Sequence, residues 1–198
     1  MKIMQNHDLR RRLNSLNKFR LPRWDDLPDE GLMRQKMLDY IDELLSPLLD
    51  KDQIITGTMV ENYIKWGMAP SPAGRKYNRV HFAHFIVLSI LKEVTAMQNI
   101  SHGIILQTKI IPLSAAYDSF CQLLEDALKR QTSTLLQEIE SEKNVEIQGF
   151  ETSLKTLNLA FVCEALVNKL LAESFILEQG LFNSFHNSKN TENSNSKT

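Results

Sequence analysis

The residues of this sequence best able to do chemistry lie between positions 58 and 79. Thr58, Glu61, Asn62 and Lys65 are spaced by three and four, so on a helix they share one outward face. A Pro/Ser/Gly stretch follows, Gly67 to Gly74, and then a basic run: Arg75, Lys76, Tyr77, Asn78 and Arg79. Long cations such as Lys65, Arg75, Lys76 and Arg79 suit phosphate, which they can neutralise without reading sequence. Asn62 offers a paired donor and acceptor, which matches an adenine edge. A short helix, a loop ending in cations and a further helix together have the layout of a helix-turn-helix followed by a wing, and point to double-stranded DNA. The same order of elements also occurs in all-α proteins that bind no nucleic acid.

Other chemistries find less support. His81 and His84 are three apart, but no Cys, Asp or Glu follows at ligand spacing, so no metal site is expected. The acidic cluster Asp25, Asp26, Asp29 and Glu30 precedes a helical pattern, where carboxylates complement the helix dipole without catalysis. There is no Gly-rich phosphate loop, no HExxH and no nucleophile in a known setting. Cys121 and Cys163 each sit within a helical pattern and read as small core residues. No enzyme activity and no cofactor is expected.

Several elements must position these groups. Pro28-Asp29 opens a helix to about Leu49, with Leu32, Leu38, Ile41, Leu44 and Leu45 as its apolar face and Pro47 near its end. Thr56 or Thr58 caps a short helix to about Trp66, on which Met59, Tyr63 and Trp66 lie along the inner side. Gly67 stops it, and Asn78 caps the next, whose stripe is Phe82, Phe85, Ile86, Ile90 and Val94. A short segment follows from Ile100. A long helix runs from Pro112 to about Glu142, with Phe120, Leu123, Leu124 and Leu128 on its apolar side. Residues 150–179 read as one more helix, apolar nearly all round, which must be covered by its own domain or by a second subunit.

Composition bounds the class. Seven glycines and six prolines in 198 residues, with abundant helix formers, point to an all-α protein. No apolar run is long enough to span a bilayer, and the polar opening Met1 to Asp8 lacks the apolar region of a signal peptide, so a cytoplasmic protein without membrane contact is expected. The net charge of −1 conceals segregation. Residues 1–23 carry seven cations against Asp8, residues 24–50 carry eight acids against Arg34 and Lys36, and residues beyond 112 carry twelve acids against seven bases. A basic end fits an anionic partner, and ordinary solvated charge fits the numbers equally well.

The stretches TMVENYIKWGMAPSP, RKYNRVHF, VLSILKEV and QNISHGI resemble the DNA-binding domain of the MerR family, with Thr58, Tyr63, Gly67, Met68, Pro70, Arg75, Tyr77, Phe82 and Ile100 in corresponding places. The resemblance implies a recognition helix over 57–66 and a wing over 67–79. With LPRWDDLPD at 21–29 included, the span 21–110 resembles a more particular bacterial group, domain of unknown function 1836. Three departures from the MerR pattern stand out. About fifty residues precede the recognition helix, the wing lacks the aromatic that usually precedes its arginine, and no metal-sensing cysteine set exists.

The expectation is therefore an all-α chain with a MerR-like winged helix-turn-helix N-terminal domain and a long-helix C-terminal region for dimerisation or effector sensing. Residues 1–20 are a basic arm of open order, 21–110 the DNA-binding domain, 111–182 the helical dimerisation or effector domain, and 183–198 a disordered tail. The function implied is that of a dimeric transcriptional regulator on a palindromic promoter site, with room for a small-molecule effector that the residues do not specify. A helical protein-protein interaction module without DNA binding is the competing expectation.

Overall fold

The computed structural model describes residues 2–141, 145–147, 150–152 and 157–177. Seven α-helices dominate these residues, in keeping with an all-α protein, and the only strands among them form two small antiparallel pairs. The chain runs α1 (Lys2–Lys18), a 3-10 turn (Trp24–Asp26), β1 (Leu32–Met33), α2 (Arg34–Leu49), α3 (Gly57–Lys65), β2 (Lys76–Tyr77) and α4 (Arg79–Leu91). It continues with α5 (Met97–Ile110), α6 (Leu113–Ser141), the hairpin β3 (Val145–Ile147) and β4 (Phe150–Thr152), and α7 (Leu157–Leu177). The expected tail at 183–198 lies outside the described residues.

Two helix starts differ from expectation. The helix placed at Pro28-Asp29 begins only at Arg34, because Leu32 and Met33 instead pair with Tyr77 and Lys76. Gly31 makes this pairing possible: its φ is +76°, and a Cβ there would meet Lys76 Cβ at 3.0 Å. The helix placed at Phe150 begins at Leu157, because residues 150–152 pair with 145–147 as a hairpin. Inside α2, Pro47 cannot donate to the carbonyl of Glu43, and Ser46 Oγ does so at 3.3 Å. The helix then ends at Asp50, in the left-handed region with φ +54°.

The core joins α2, α3, α4 and α6 through fully buried Met37, Ile41, Leu45, Val60, Phe82, Phe85, Ile86, Leu88, Tyr117 and Cys121. It therefore crosses the sequence boundary near residue 110. α1, expected as an arm of open order, is helical and docks on α6. Leu13 is buried against Leu135, and Asn17 Nδ2 donates to Thr132 Oγ1 at 2.8 Å and Ser133 Oγ at 3.0 Å. A buried ion pair fastens the following segment. Glu125 takes both guanidinium nitrogens of Arg23, at 2.7 and 2.8 Å, and the Leu21 N–H at 2.9 Å. Burial works against the Glu125 charge, yet the Arg23 and Leu21 hydrogen bonds and the charges of Arg23 and Arg20 bring its carboxyl below the ordinary carboxylate range. The Arg23 guanidinium is held correspondingly more firmly protonated by Glu125. Cys163, read as a core residue, is exposed on α7.

Candidate nucleic-acid interface

α3 is built from its ends inward. Thr56 is the cap, its Oγ1 accepting from the Met59 N–H at 3.2 Å, so Thr58 is left as an exposed first-turn residue. The preceding turn is pinned by Asp42 of α2, whose Oδ1 accepts from the N–H groups of Ile54 (2.8 Å) and Ile55 (3.0 Å). At the far end Gly67 adopts φ +70°, and the Met68 N–H closes onto the Tyr63 carbonyl at 2.8 Å. Val60 and Tyr63 hold the inner face, the Tyr63 ring lying 6.4 Å from Phe85.

Trp66 does not join them. It is the C-cap residue, with φ −87° and ψ 4°, and its side chain is 57% exposed. Reading it as a third inner-face residue extrapolates the helical spacing one residue beyond the helix, which ends at Lys65. The outward surface of α3 thus presents Thr58, Glu61, Lys65 and Trp66, with Asn62 half-buried at its edge. Glu61 is paired with Arg34 of α2, a contact between exposed groups that contributes little stability but lays the guanidinium across the start of α3. Arg34 carries no sequence signal for this role, since only the tertiary crossing of α2 over Gly57 brings it there.

The basic run divides into two sets. Arg75 and Lys76 are exposed, and no ion pair holds them, or Lys65, among the described residues. Tyr77 is 5% exposed, its ring 5.4 Å from His81 and 6.1 Å from Phe85. Asn78 begins α4 and contacts His81 Nδ1 through its N–H at 3.1 Å and its Oδ1 at 2.7 Å. Burial lowers the pKa of His81, which favours its neutral form. Arg79 is three-quarters buried and engages Asp25 at 3.1 Å and Asp29 at 3.2 Å. The structure therefore turns Tyr77, Asn78 and Arg79 toward the scaffold, and leaves Thr58, Glu61, Lys65, Arg75 and Lys76 facing solvent.

Such a surface can attract a polyanion, because its unpaired charges are all positive and its helix is anchored from behind. Among the described residues no three His, Cys, Asp or Glu side chains converge as a metal site would require, and no helix is long and apolar enough to cross a membrane. No curated protein and no solved structure matches the chain. Residues 22–120, from Pro22 through α2, α3 and β2 to Phe120 of α6, match the family described as Domain of unknown function (DUF1836). That match spans half of the 198 residues, and the protein belongs to this family.

Proposed function

We propose that this protein is a DNA-binding transcriptional regulator with a MerR-like winged helix-turn-helix, acting as a homodimer on a palindromic promoter site. One observation carries the reading: Thr58, Lys65, Arg75 and Lys76 are exposed on elements whose inner sides are locked by Tyr63 and Tyr77. In this reading α2 and α3 are the two helices of the motif, and β1–β2 with the 67–75 turn forms the wing. A nine-residue helix is about 13 Å long, enough to lie in a major groove about 12 Å wide. Lys65, Arg75 and Lys76 then meet phosphates, while Thr58 and Asn62 face base edges.

A single short recognition helix makes few contacts, and pairing two copies places two half-sites on one face of the duplex. α7 offers the surface for pairing: Leu159, Val162, Leu166 and Leu170 are each more than half exposed along it. Those same residues favour the alternative of an interaction module that binds another protein through α7 and no DNA. Selection of fragments from genomic DNA by the full chain separates the two. Enriched fragments sharing an inverted repeat, lost with Arg75→Gln/Lys76→Gln, support the regulator. Absence of enrichment even at low salt rejects it. Sedimentation of a monomer at tens of micromolar would remove the homodimer independently.

A further inference from the structure

A cavity of about 420 Å³ lies among α4, α5, α6 and α7. Its walls are almost entirely hydrocarbon, formed by Val87 and Leu91 of α4, Ile104 of α5, Phe120 of α6, and Ala172 and Ile176 of α7. The space opens to solvent past Leu123 and Val94, both exposed, so its apolar walls are left for a ligand to cover. Its volume falls within the range of about 300–1,000 Å³ typical of small-molecule sites.

The polar groups of the lining define what such a molecule must carry. Glu173 of α7 has one oxygen fully used: Oε1 accepts from Thr95 Oγ1 at 2.5 Å, Lys169 Nζ at 2.8 Å and Asn99 Nδ2 at 3.2 Å. Its Oε2 accepts no hydrogen bond among the described residues. Lys169 offsets the carboxylate charge, so this corner favours neither a cation nor an anion. The second polar group is His84 of α4. Burial favours its neutral form, and its Nδ1 donates to the Val80 carbonyl at 2.7 Å, which leaves Nε2 as an acceptor. Both of these positions accept hydrogen bonds, while the buried Tyr117 hydroxyl of the same lining, which has no hydrogen-bond partner among the described residues, can donate one.

We propose that this cavity binds a neutral, largely apolar small molecule whose hydrogen-bond donor, a hydroxyl or amide N–H, meets Glu173 Oε2. The bound molecule bridges α7 to α4 and α5, which already approach closely at Gly103, where an added Cβ would lie 3.6 Å from Ile176 Cδ1. The proposal is independent of DNA binding, since it uses no residue of α3 or β2.

The test titrates the full chain against pyrenemethanol, which carries a donor, and pyrene, which does not, using the polarity-sensitive pyrene emission. Saturable binding of pyrenemethanol is expected, tighter than that of pyrene by about tenfold, as a hydrogen bond to a charged acceptor supplies. Filling the cavity from either of two helices, with Ala172→Phe on α7 or Ala116→Phe on α6, weakens both probes by at least about tenfold. Glu173→Leu removes the preference for pyrenemethanol while pyrene still binds. Val167→Gln/Leu171→Gln, at exposed positions of α7 outside the lining, leaves both affinities unchanged. The proposal is overturned if both filling variants, shown folded by circular dichroism, bind as tightly as the parent. It is overturned equally if the exposed-face variant abolishes binding, or if the two probes bind alike. Loss of binding as protein concentration rises assigns the cavity to a second copy of the chain, and also overturns it.

Discussion

Removing the side chains of Lys65, Arg75 and Lys76 tests the proposed interface against the alternative that charge near residue 79 merely holds the fold together. Each cation that neutralises a phosphate contributes about 0.9 to the slope of log affinity against log salt. Three per chain then contribute about 2.7, which over a rise from about 50 to 200 mM salt is roughly a 40-fold loss of affinity per chain. The Lys65→Gln/Arg75→Gln/Lys76→Gln variant should lose that share of the slope, and Arg75→Gln alone about 0.9 of it. Arg79→Gln should behave differently, because its guanidinium is already committed to Asp25 at 3.1 Å and Asp29 at 3.2 Å. The partners of Arg79 are largely exposed, so its loss should cost about 1 kcal/mol of stability or less and leave the slope unchanged. Anisotropy of a labelled duplex across a potassium chloride series measures the slopes, and urea unfolding measures the stability. An unchanged slope in the triple variant would remove α3 and β2 as the interface. A slope for Arg79→Gln as shallow as that for Arg75→Gln would show Arg79 on phosphate, and the division of the basic run into two sets would be wrong.

Three further outcomes follow from the packing. Glu125→Gln leaves Arg23 with an incomplete partner in a buried site and should cost about 3 kcal/mol, the low end for breaking a buried pair because Arg23 is 35% exposed. The folded Glu125 carboxyl titrates below its ordinary value of 4.5, so its stabilisation is present above that pH and fades as pH falls through the folded value. Urea midpoints between pH 3 and 7 should therefore decline more steeply at the acid end for the parent than for Glu125→Gln, and parallel profiles would refute the assignment. Tyr63→Ala should cost about 3–5 kcal/mol, whereas Trp66→Ala should stay within about 0.5 kcal/mol, both read from thermal melts. Gly31→Ala should cost about 1–3 kcal/mol, because a side chain there is strained at φ +76° and crowds Lys76, and a melt matching the parent would exclude that strain.

What was legible in the sequence is what a single helix decides for itself. Helical spacing found α3, its glycine stop and the inward Tyr63, and it found Phe82, Phe85, Ile86 and Ile90 of the α4 stripe, while Val94, read as the last member, lies beyond the helix end at Leu91 and is exposed. It failed wherever a position answers to a distant part of the chain. The buried line of α6 runs through Tyr117, Cys121, Glu125, Thr132 and Leu135. Two of these are polar, so an apolar pattern passes over them and selects Leu123, which is 70% exposed. Glu125 is tolerated inside only because Arg23 and the Leu21 N–H meet it, and Thr132 because its hydroxyl donates to the Leu128 carbonyl at 2.7 Å and accepts from Asn17. Both arrangements depend on residues more than a hundred positions away in sequence.

The same physics sorted the candidate site. Arg75 and Arg79 are chemically identical and four residues apart, and nothing local distinguishes a cation left exposed from one paired to the scaffold. The acids at 25 and 29 make the distinction, because β1 pairs with β2 and so brings the segment before Gly31 alongside the start of α4. Read from the sequence, that acidic cluster was sufficiently explained by a helix start at Pro28. Once the helix begins at Arg34 instead, Asp25 and Asp29 lie well before its first turn, and the partner their charge then finds is Arg79. Misplacing one helix start thus accounts for the acids assigned to the α2 dipole, and it hides from a local reading the ion pairs that Arg79 makes with them.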